Sequence, residues 1–322
     1  MDFQLSDDQR ALRSGMRDLL GAAFDRGRLR AAVERGGGVD RGLWRELGAA
    51  GFFALRLPEE AGGVGLGLPE AVLLFEEAGR ALLPGPLVAT HLAAGLVKGA
   101  AEGEAVVTAS EGGGLPVADL GGADAVLVAG GVLTGEELAA FVAGARPVRS
   151  MDPLTPLHRA EGLVAAAEAY PGALRGEGAL LTAAEQLGSA ARTTEMAVQH
   201  ARTREQFGSF IGSFQVVKHL CADMLARTEP ARAAVYAAAV TGDPVEIAAA
   251  KLLADDAAVR NARDCLQIHG GMGFTWEADV HLHLKRAWLR AARWLTAAEA
   301  EEILAAGLGP VRPLYGGSAA LG

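Results

Sequence analysis

Two arginines and a Phe-Gly pair stand close together in the stretch ARTREQFGSFIGSFQ, which covers residues 201–215. The planar N–H donors of a guanidinium suit a phosphate group, so Arg204 is a candidate for binding a phosphate-bearing ligand. An arginine at the C-terminal end of a helix is also favoured by the helix dipole, with no ligand involved. The spacing alone leaves both interpretations of Arg204 open.

A second candidate segment is the glycine-containing loop in QIHGGMGFTWE, residues 267–277. Gly270 and Gly271 would allow a ligand to approach the backbone closely, and Gln267 adds a side-chain amide. The glycines do not form a GxGxxG pattern after a strand, so the sequence argues against a Rossmann-type nucleotide site. His269 in the same segment is predicted to be a core or interface histidine rather than a catalytic one.

Other residues that could do chemistry form no pattern of a metal or catalytic site. His281 and His283 are two residues apart and are expected on different faces of a helix, which argues against a metal pair. The two cysteines, Cys221 and Cys265, are not in a CxxC arrangement, which argues against a zinc site or a disulfide framework. No metal site is therefore expected.

The composition is that of a globular chain of closely packed helices. Of the 322 residues, 50% are hydrophobic, mainly Ala, Leu and Val, and 21% are charged. The net charge of −9 argues against a general nucleic-acid-binding protein, which needs a basic surface. No apolar stretch reaches the length of a membrane span, and the acidic, polar start does not resemble a secretory signal. A cytoplasmic, reducing location is expected.

Long helices are predicted to position both candidate segments. From about residue 173 the pattern is helical, and four long helices with short links predict an antiparallel bundle. Pro230 is expected to kink or break the second of them. The third is predicted to start at Asp243-Pro244 and to end at the glycine pair after His269. The two candidate segments therefore lie where bundle helices end.

The rest of the chain divides into a helical and a β-rich part. Ser6 and Gln9 have the spacing of a capping box at the start of a first helix. Residues 104–172 contain short Val-rich runs separated by glycines, which predict a small β region. The expected fold is mainly α, with an N-terminal helical domain (1–103), a shortened middle β domain (104–172) and a C-terminal four-helix bundle (173–322).

The segments ARTREQFGSFIGSFQVVKHLCADM and QIHGGMGFTWE, in this order and on these helices, resemble the acyl-CoA dehydrogenase family. The start MDFQLSDDQRALRSGMRDLL and the segment LPEEAGGVGLGLPEAVLLFEEAGRALLPGP extend the resemblance over most of the chain. It implies N-terminal helices, a middle β domain and a C-terminal four-helix bundle. It also implies FAD bound across a dimer interface, with the flavin ring in one subunit and the pyrophosphate and adenosine end contacted by its neighbour.

Carried over to this sequence, the resemblance implies a set of FAD contacts: Arg204, Phe207, Gln215, Gln267, Ile268, His269, Gly270 and Gly271. In the family reaction a glutamate removes the α-proton of an acyl-CoA thioester, and the β-hydrogen leaves as hydride to flavin N5. Hydrogen bonds to the thioester carbonyl make the α-proton acidic enough for a carboxylate base.

Three features of the family pattern are missing. No TEP-x-AGSD-like or W-I-TNG-like segment occurs between Ala101 and Pro171. The Asp-x-x-Arg pattern that holds CoA falls on Gly176 and Ala179, and an alternative position of the base falls at about Gly178. No YEGT-like segment with the catalytic glutamate follows LKRA.

These departures favour a non-catalytic companion subunit of an α2β2 acyl-CoA dehydrogenase, which completes the FAD site of a partner. One alternative is a self-sufficient homodimer that uses Glu177 or Glu277 as an unusual base, although both could equally be solvated surface residues. Another is a flavin-free scaffold. Heteromeric relatives suggest a bulky acyl-CoA, such as a steroid side chain, or a fatty acyl-CoA as substrate.

Overall fold

The computed structural model describes residues 4–111, 114–160 and 172–308. Its N-terminal part is helical, as predicted, and Ser6 and Gln9 form the expected capping box. Asp40 also caps its helix, since its side chain accepts hydrogen bonds from the amides of Gly42 and Leu43. The helices are α1 (Asp7–Ala23), α2 (Arg26–Glu34), α3 (Arg41–Ala49), α4 (Leu68–Arg80) and α5 (Leu87–Leu92).

The middle part contains two small sheets. The strands are β1 (Val107–Ala109), β2 (Val117–Ala118), β3 (Ala125–Val128), β4 (Gly131–Leu133), β5 (Ala145–Val148) and β6 (Leu157–Ala160). One sheet has the order β1-β3-β4 with β1 and β3 parallel, and the other has the antiparallel order β2-β6-β5. A helix that the sequence reasoning missed, α6 (Gly135–Ala143), covers them by burying Phe141.

The C-terminal part consists of long helices and a short hairpin. These are α7 (Gly172–Thr203), β7 (Glu205–Gln206), β8 (Ser209–Phe210), α8 (Gln215–Thr241), α9 (Pro244–His269), α10 (Val280–Ala291) and α11 (Ala297–Gly307). The predicted start of α9 at Asp243-Pro244 and its end at Gly270 are confirmed. The division of the chain at 103 and 172 stays a prediction, and residues 161–171 and 309–322 lie outside the described segments.

Of the two expectations for Pro230, the break is wrong, because α8 runs through it without interruption, and the kink stays a prediction. A proline inside a helix removes one hydrogen bond and costs about 3 kcal/mol. Pro230 itself is exposed, whereas Ala231, Val235 and Ala238 just after it are buried in the main core. The burial of this face holds the helix together across the missing hydrogen bond.

Glycines set the contact between the N-terminal helices and the bundle. A Cβ at Gly188 of α7 would lie 1.8 Å from the carbonyl oxygen of Glu76 in α4, and one at Gly79 would lie 2.0 Å from that of Glu185. The two helices therefore cross backbone to backbone, and any larger residue would separate them. In the described segments, no helix is long and apolar enough to cross a membrane.

Candidate functional site

The hairpin after α7 exposes the first candidate residues. Phe207 and Gly208 form its turn with φ values of 54° and 75°, as is typical of a type I′ turn. A positive φ is unusual for a bulky residue, and the Phe207 ring is 93% exposed. Phe207 thus adopts a strained backbone conformation while its ring has little packing to compensate for it.

Arg204 joins α7 to this hairpin. Its backbone is fixed, since its amide donates to the His200 carbonyl at 2.9 Å and its carbonyl accepts from the Ile211 amide at 2.8 Å. Its side chain is exposed, and the guanidinium has no ion-pair or hydrogen-bond partner among the described residues. A positioned backbone with an unpaired cation can bind an anion without first breaking a salt bridge.

The glycine loop follows α9. Gly270 ends the helix with a φ of 58°, and residues 270–274 form a 3-10 turn. A Cβ added at Gly270 or Gly271 would meet nothing within 4 Å, so the space above this backbone is open. The loop therefore allows a ligand to approach its backbone.

Stacked histidines hold the hairpin beside the glycine loop. The rings of His200 in α7 and His269 in α9 lie 4.1 Å apart, with 15° between their planes. His269 Nδ1 also lies 2.8 Å from the Cys265 carbonyl oxygen. Partial burial, His269 and Arg204 together lower the pKa of His200, in that order of size. His269 therefore lies at the contact between α7 and α9.

The remaining predicted contacts lie at the same end of the bundle, and all but one of them have exposed side chains. Gln215 is exposed at the start of α8, next to Phe214, whose ring meets that of Phe207 edge to face at 6.2 Å. Gln267 is exposed on the last turn of α9. The Ile268 side chain, in contrast, is buried in a core cluster. Ile268 can therefore offer a ligand its backbone but not its side chain.

Exposed apolar side chains surround these residues. Monomeric proteins rarely expose many large apolar side chains in one region, so the region has the character of an interaction surface. We call it the bundle-end surface, and its exposed apolar members are Phe207, Phe210, Phe214, Val216, Met272, Phe274 and Trp276.

The loop after the glycines is clamped by the N-terminal domain. Arg26 Nε lies 2.6 Å from Asp279 Oδ2, and Arg30 Nη1 lies 3.4 Å from Asp279 Oδ1. Both arginines also donate to backbone carbonyls, Arg26 to that of Glu277 at 2.8 Å and Arg30 to that of Trp276. Helix α2 therefore fixes the segment that follows the glycine loop.

Trp276 is a surface residue that sequence reasoning did not single out. The His281 ring stacks on it at 5.0 Å, and Lys285 Nζ lies 4.7 Å from its centre. A cation over an indole ring is attracted by the negative face of the ring. The signal in the sequence is the i,i+4 spacing of His281 and Lys285 just after an aromatic residue.

On the opposite side of α10, Arg286 and Arg290 of the helix and Arg293, two residues after its end, are paired with carboxylates from other elements. Arg286 Nε lies 2.6 Å from Asp152 Oδ2, and Arg290 Nη2 lies 2.7 Å from Glu185 Oε1. The third pair, Arg293 Nε and Glu111 Oε1, is separated by 2.5 Å. These pairs occupy the region between the β sheets and the bundle, which is lined by α10, α7 and the start of α5.

The positions that the resemblance assigns to CoA and to an alternative base are packed by this chain's own residues. A Cβ at Gly178 would lie 2.3 Å from the ring of Trp294, and Ala179 is fully buried. At Gly176, a Cβ would make ordinary contact with Ile247 at 3.6 Å. Small residues stand here because neighbouring side chains fill the space.

Neither glutamate proposed as an unusual base has the environment of a general base. Glu177 accepts two hydrogen bonds from Arg56, at 2.6 and 3.2 Å. Glu277 is fully exposed, and hydrogen bonds from its own amide and the Thr275 hydroxyl lower the pKa of its carboxyl. A general base near neutral pH needs the opposite shift, a raised carboxyl pKa. In the described segments, no group of three or more His, Cys, Asp or Glu residues could hold a metal ion.

Comparison of the sequence with known families identifies two domains. The model of the acyl-CoA dehydrogenase N-terminal domain matches residues 6–102, and that of the C-terminal domain matches residues 175–304. Acyl-CoA dehydrogenase IpdE2 of Mycobacterium tuberculosis is 35% identical over 297 residues, which are 87% of this chain and 91% of that protein. Acyl-CoA dehydrogenase FadE34 of the same organism is 35% identical over 317 residues, which are 85% of this chain but 45% of that protein.

Solved structures share the fold at lower sequence identity. Butyryl-CoA dehydrogenase of Megasphaera elsdenii matches with a TM-score of 0.78 and 20% identity, over 96% of this chain and 100% of that one. The ChsE4–ChsE5 complex of Mycobacterium tuberculosis matches with a TM-score of 0.77 and 24% identity, over 97% of this chain and 100% of that one. The predicted mainly α fold, with a small β region between two helical parts, is confirmed. Because both domain models match and a relative aligns along nearly its whole length, the chain belongs to the acyl-CoA dehydrogenase family.

Proposed function

We propose that the chain is the non-catalytic subunit of an FAD-dependent acyl-CoA dehydrogenase and completes an FAD site on a partner subunit. Arg204, Phe207 and Gln215 on the bundle-end surface, together with the loop from Gln267 to Gly271, would form its half of that site. FAD, when bound there, supplies the hydride acceptor for α,β-dehydrogenation of an acyl-CoA thioester.

The residues present fit a dinucleotide that has a phosphate part and flat rings. The unpaired Arg204 guanidinium suits the pyrophosphate, because its N–H donors match phosphate oxygens. The exposed Phe207 ring offers a face for stacking, and the open backbone at Gly270 and Gly271 allows close approach. The role of this chain is to bind and orient the cofactor and to exclude water from its pyrophosphate end.

The observation that carries the proposal is the contrast between the bundle-end surface and the side of α10 that faces the sheets. The bundle-end surface leaves an arginine and several aromatic rings exposed. The side facing the sheets holds two buried Arg–carboxylate pairs and a third, partly exposed pair at Arg293, and Trp294 packs on Gly178. A flavin ring and an acyl chain would have to displace these groups, and breaking one buried pair costs about 3–5 kcal/mol.

Two other functions make different demands on the same residues. A self-sufficient homodimer would need a base, and Glu177 is ion-paired with Arg56 while Glu277 is solvated. A flavin-free scaffold would have no use for an unpaired arginine beside an open glycine loop. The solved structure of the same fold from Mycobacterium tuberculosis is a complex of two differently named chains, ChsE4 and ChsE5. This supports a partner subunit for the present chain.

The proposal is tested by expressing the chain alone and together with an acyl-CoA dehydrogenase encoded beside it. We expect the chain alone to be colourless and the co-purified complex to show flavin absorbance that acyl-CoA bleaches. Flavin bound and reduced by the chain alone would establish the homodimer instead. A stable complex that lacks flavin, together with a colourless chain alone, would establish the scaffold.

Arg204→Ala in the co-purified complex tests the site itself. Loss of a charge-assisted hydrogen bond worth about 1.5–3 kcal/mol should weaken FAD binding about 10- to 100-fold. Arg202→Ala is the matched control, because Arg202 is an equally exposed arginine on the last turn of α7. Equal FAD affinity of the two variants would contradict the assignment of Arg204.

A further inference from the structure

A small cavity lies between the start of α5, strands β1 and β2, and helices α7 and α10. Its volume is about 80 Å³, which is room for a few water molecules and far too little for an acyl-CoA. Its lining combines Thr108, Thr155 and Thr182 with charged side chains. A dry cavity in a protein is normally apolar, so a polar cavity of this size has a polar occupant.

Two of the lining arginines have N–H groups that donate no hydrogen bond within the described residues. Arg286 uses Nε for Asp152 and Nη1 for the Leu83 carbonyl at 2.9 Å, and its Nη2 is buried without a hydrogen-bond partner in the described part of the chain. Arg290 uses Nη2 for Glu185, and its Nη1 is buried and equally unpartnered. A buried donor without an acceptor costs about 1–3 kcal/mol, and more when it is charged. Both side chains are more than nine-tenths buried.

Asp119 adds a third unsatisfied group to the lining. It is 4% exposed, its φ is 53°, and its Oδ1 has no hydrogen-bond partner within the described segments. Burial raises the pKa of its carboxyl to about 7, while Arg286 on α10 and Arg293, just after that helix, act against the rise and Asp152 adds to it. The ring of His158 on β6 lies against Gly121, which is two residues after Asp119. Burial of Asp119 therefore favours its protonated form over the carboxylate.

The charges of the cavity wall balance in one protonation state. Arg286, Arg290 and Arg293 are matched by their carboxylate partners, and these three pairs leave Asp119 as the extra acid. With Asp119 protonated the cavity wall is neutral. It then offers three unused hydrogen-bond donors, which are Arg286 Nη2, Arg290 Nη1 and the Asp119 carboxyl group. When a monoanion binds beside protonated Asp119, the cavity carries one negative charge. The empty cavity carries the same charge when Asp119 is ionised.

We propose that this cavity binds a short monocarboxylate of two or three carbons, whose oxygens accept hydrogen bonds from Arg286 Nη2 and Arg290 Nη1 while protonated Asp119 donates a third. Guanidinium donors favour a carboxylate because its two oxygens accept in one plane. Binding takes up one proton, so no additional net charge is buried relative to the ionised empty cavity. This site uses residues distinct from those of the proposed FAD half-site.

The test is titration of the isolated full-length chain with sodium acetate by calorimetry between pH 6 and pH 8.5, in buffers of different ionisation enthalpy. We expect one acetate per chain, uptake of up to one proton, and affinity that falls about tenfold for each pH unit above 7. No binding at millimolar acetate would show that the cavity holds water only. Binding without proton uptake and without pH dependence would place acetate elsewhere, and either result would overturn the proposal.

Two variants sharpen the test. Asp119→Asn keeps a donor at every pH, so acetate should still bind but with an affinity that no longer changes between pH 6 and pH 8.5. Ala109→Val adds two methyl groups to the cavity wall on β1 and should abolish acetate binding. Unchanged pH dependence in the first variant, or unchanged affinity in the second, would contradict the site. The wild-type pH profile decides the question even where a variant does not fold.

Discussion

At the scale of single residues, Gly178 and Trp294 show how closely this chain packs its own side chains against the start of α7. The indole ring stands where a side chain of residue 178 would be, and Trp294 itself has a φ of 60°. A left-handed backbone is costly for a tryptophan, about 1–2 kcal/mol. Burial of a ring of this size contributes more than that, which is why the conformation persists.

Gly178→Ala should therefore destabilise the chain by about 1–3 kcal/mol, because the new methyl group overlaps the Trp294 ring. Gly176→Ala, two residues earlier in the same helix, is the matched control. Its methyl group would make an ordinary contact with Ile247, so the helix should gain up to about 1 kcal/mol. Urea unfolding of the two variants measures the difference, and equal stability would refute the packing described for Trp294.

At the scale of elements, α2 and α10 together determine the position of the glycine loop. Asp279 precedes α10 and receives both Arg26 and Arg30 from α2. On α10, His281 and Lys285 hold the Trp276 ring from the same face. The loop is therefore fixed by an N-terminal helix that is distant in the sequence, and not by the bundle alone.

Removal of this clamp should loosen the loop with little effect on the rest of the fold. Asp279→Ala is expected to weaken FAD binding by the co-purified complex about 3- to 10-fold, because the loop must then be ordered on binding. Its urea unfolding midpoint should change little, since the ion pairs are partly exposed. Asp256→Ala, which removes an exposed ion pair with Arg260 on α9, is the control. A loss of FAD affinity no larger than in this control would show that the clamp does not position the loop.

At the scale of the whole molecule, buried histidines link stability to acid. Burial lowers the pKa of His283 from 6.5 to about 3 and that of His91 from 6.5 to about 4. Below pH 6.5 the unfolded chain therefore binds protons that the folded chain does not, and the free energy of unfolding falls as the pH is lowered. Asp119 acts in the opposite direction between about pH 4 and pH 7, because its raised pKa gives the folded state the extra proton.

His283→Gln should reduce the acid sensitivity of folding by about one proton. Between pH 6 and pH 4.5 this corresponds to a slope shallower by about 1.4 kcal/mol per pH unit. Glutamine can keep a hydrogen bond to Ser189, whose Oγ lies 2.8 Å from His283 Nδ1. Urea unfolding at several pH values measures the slope. The exposed His219→Gln is the control, and equal slopes for the two variants would rule out the role of His283.

The sequence by itself determined most of the helices, the family and which surface residues to suspect, although it missed α6. Capping residues such as Ser6, Gln9 and Asp243 act through local hydrogen bonds, so their sequence pattern predicts helix starts directly. Arg204 and the loop from Gln267 were recognisable because their motifs are contiguous in the chain. The Asp-x-x-Arg and YEGT patterns are also contiguous motifs, so their absence was recognisable from the sequence.

The tertiary structure alone decided what replaced the missing groups. Trp294 on Gly178, the clamp on Asp279 and the Arg–carboxylate pairs in and just after α10 join residues far apart in the chain. The predicted break at Pro230 failed for the same reason, since burial of the following turn outweighs the local cost of a proline. Packing and buried charge depend on which segments meet in space, and a single sequence does not specify these contacts.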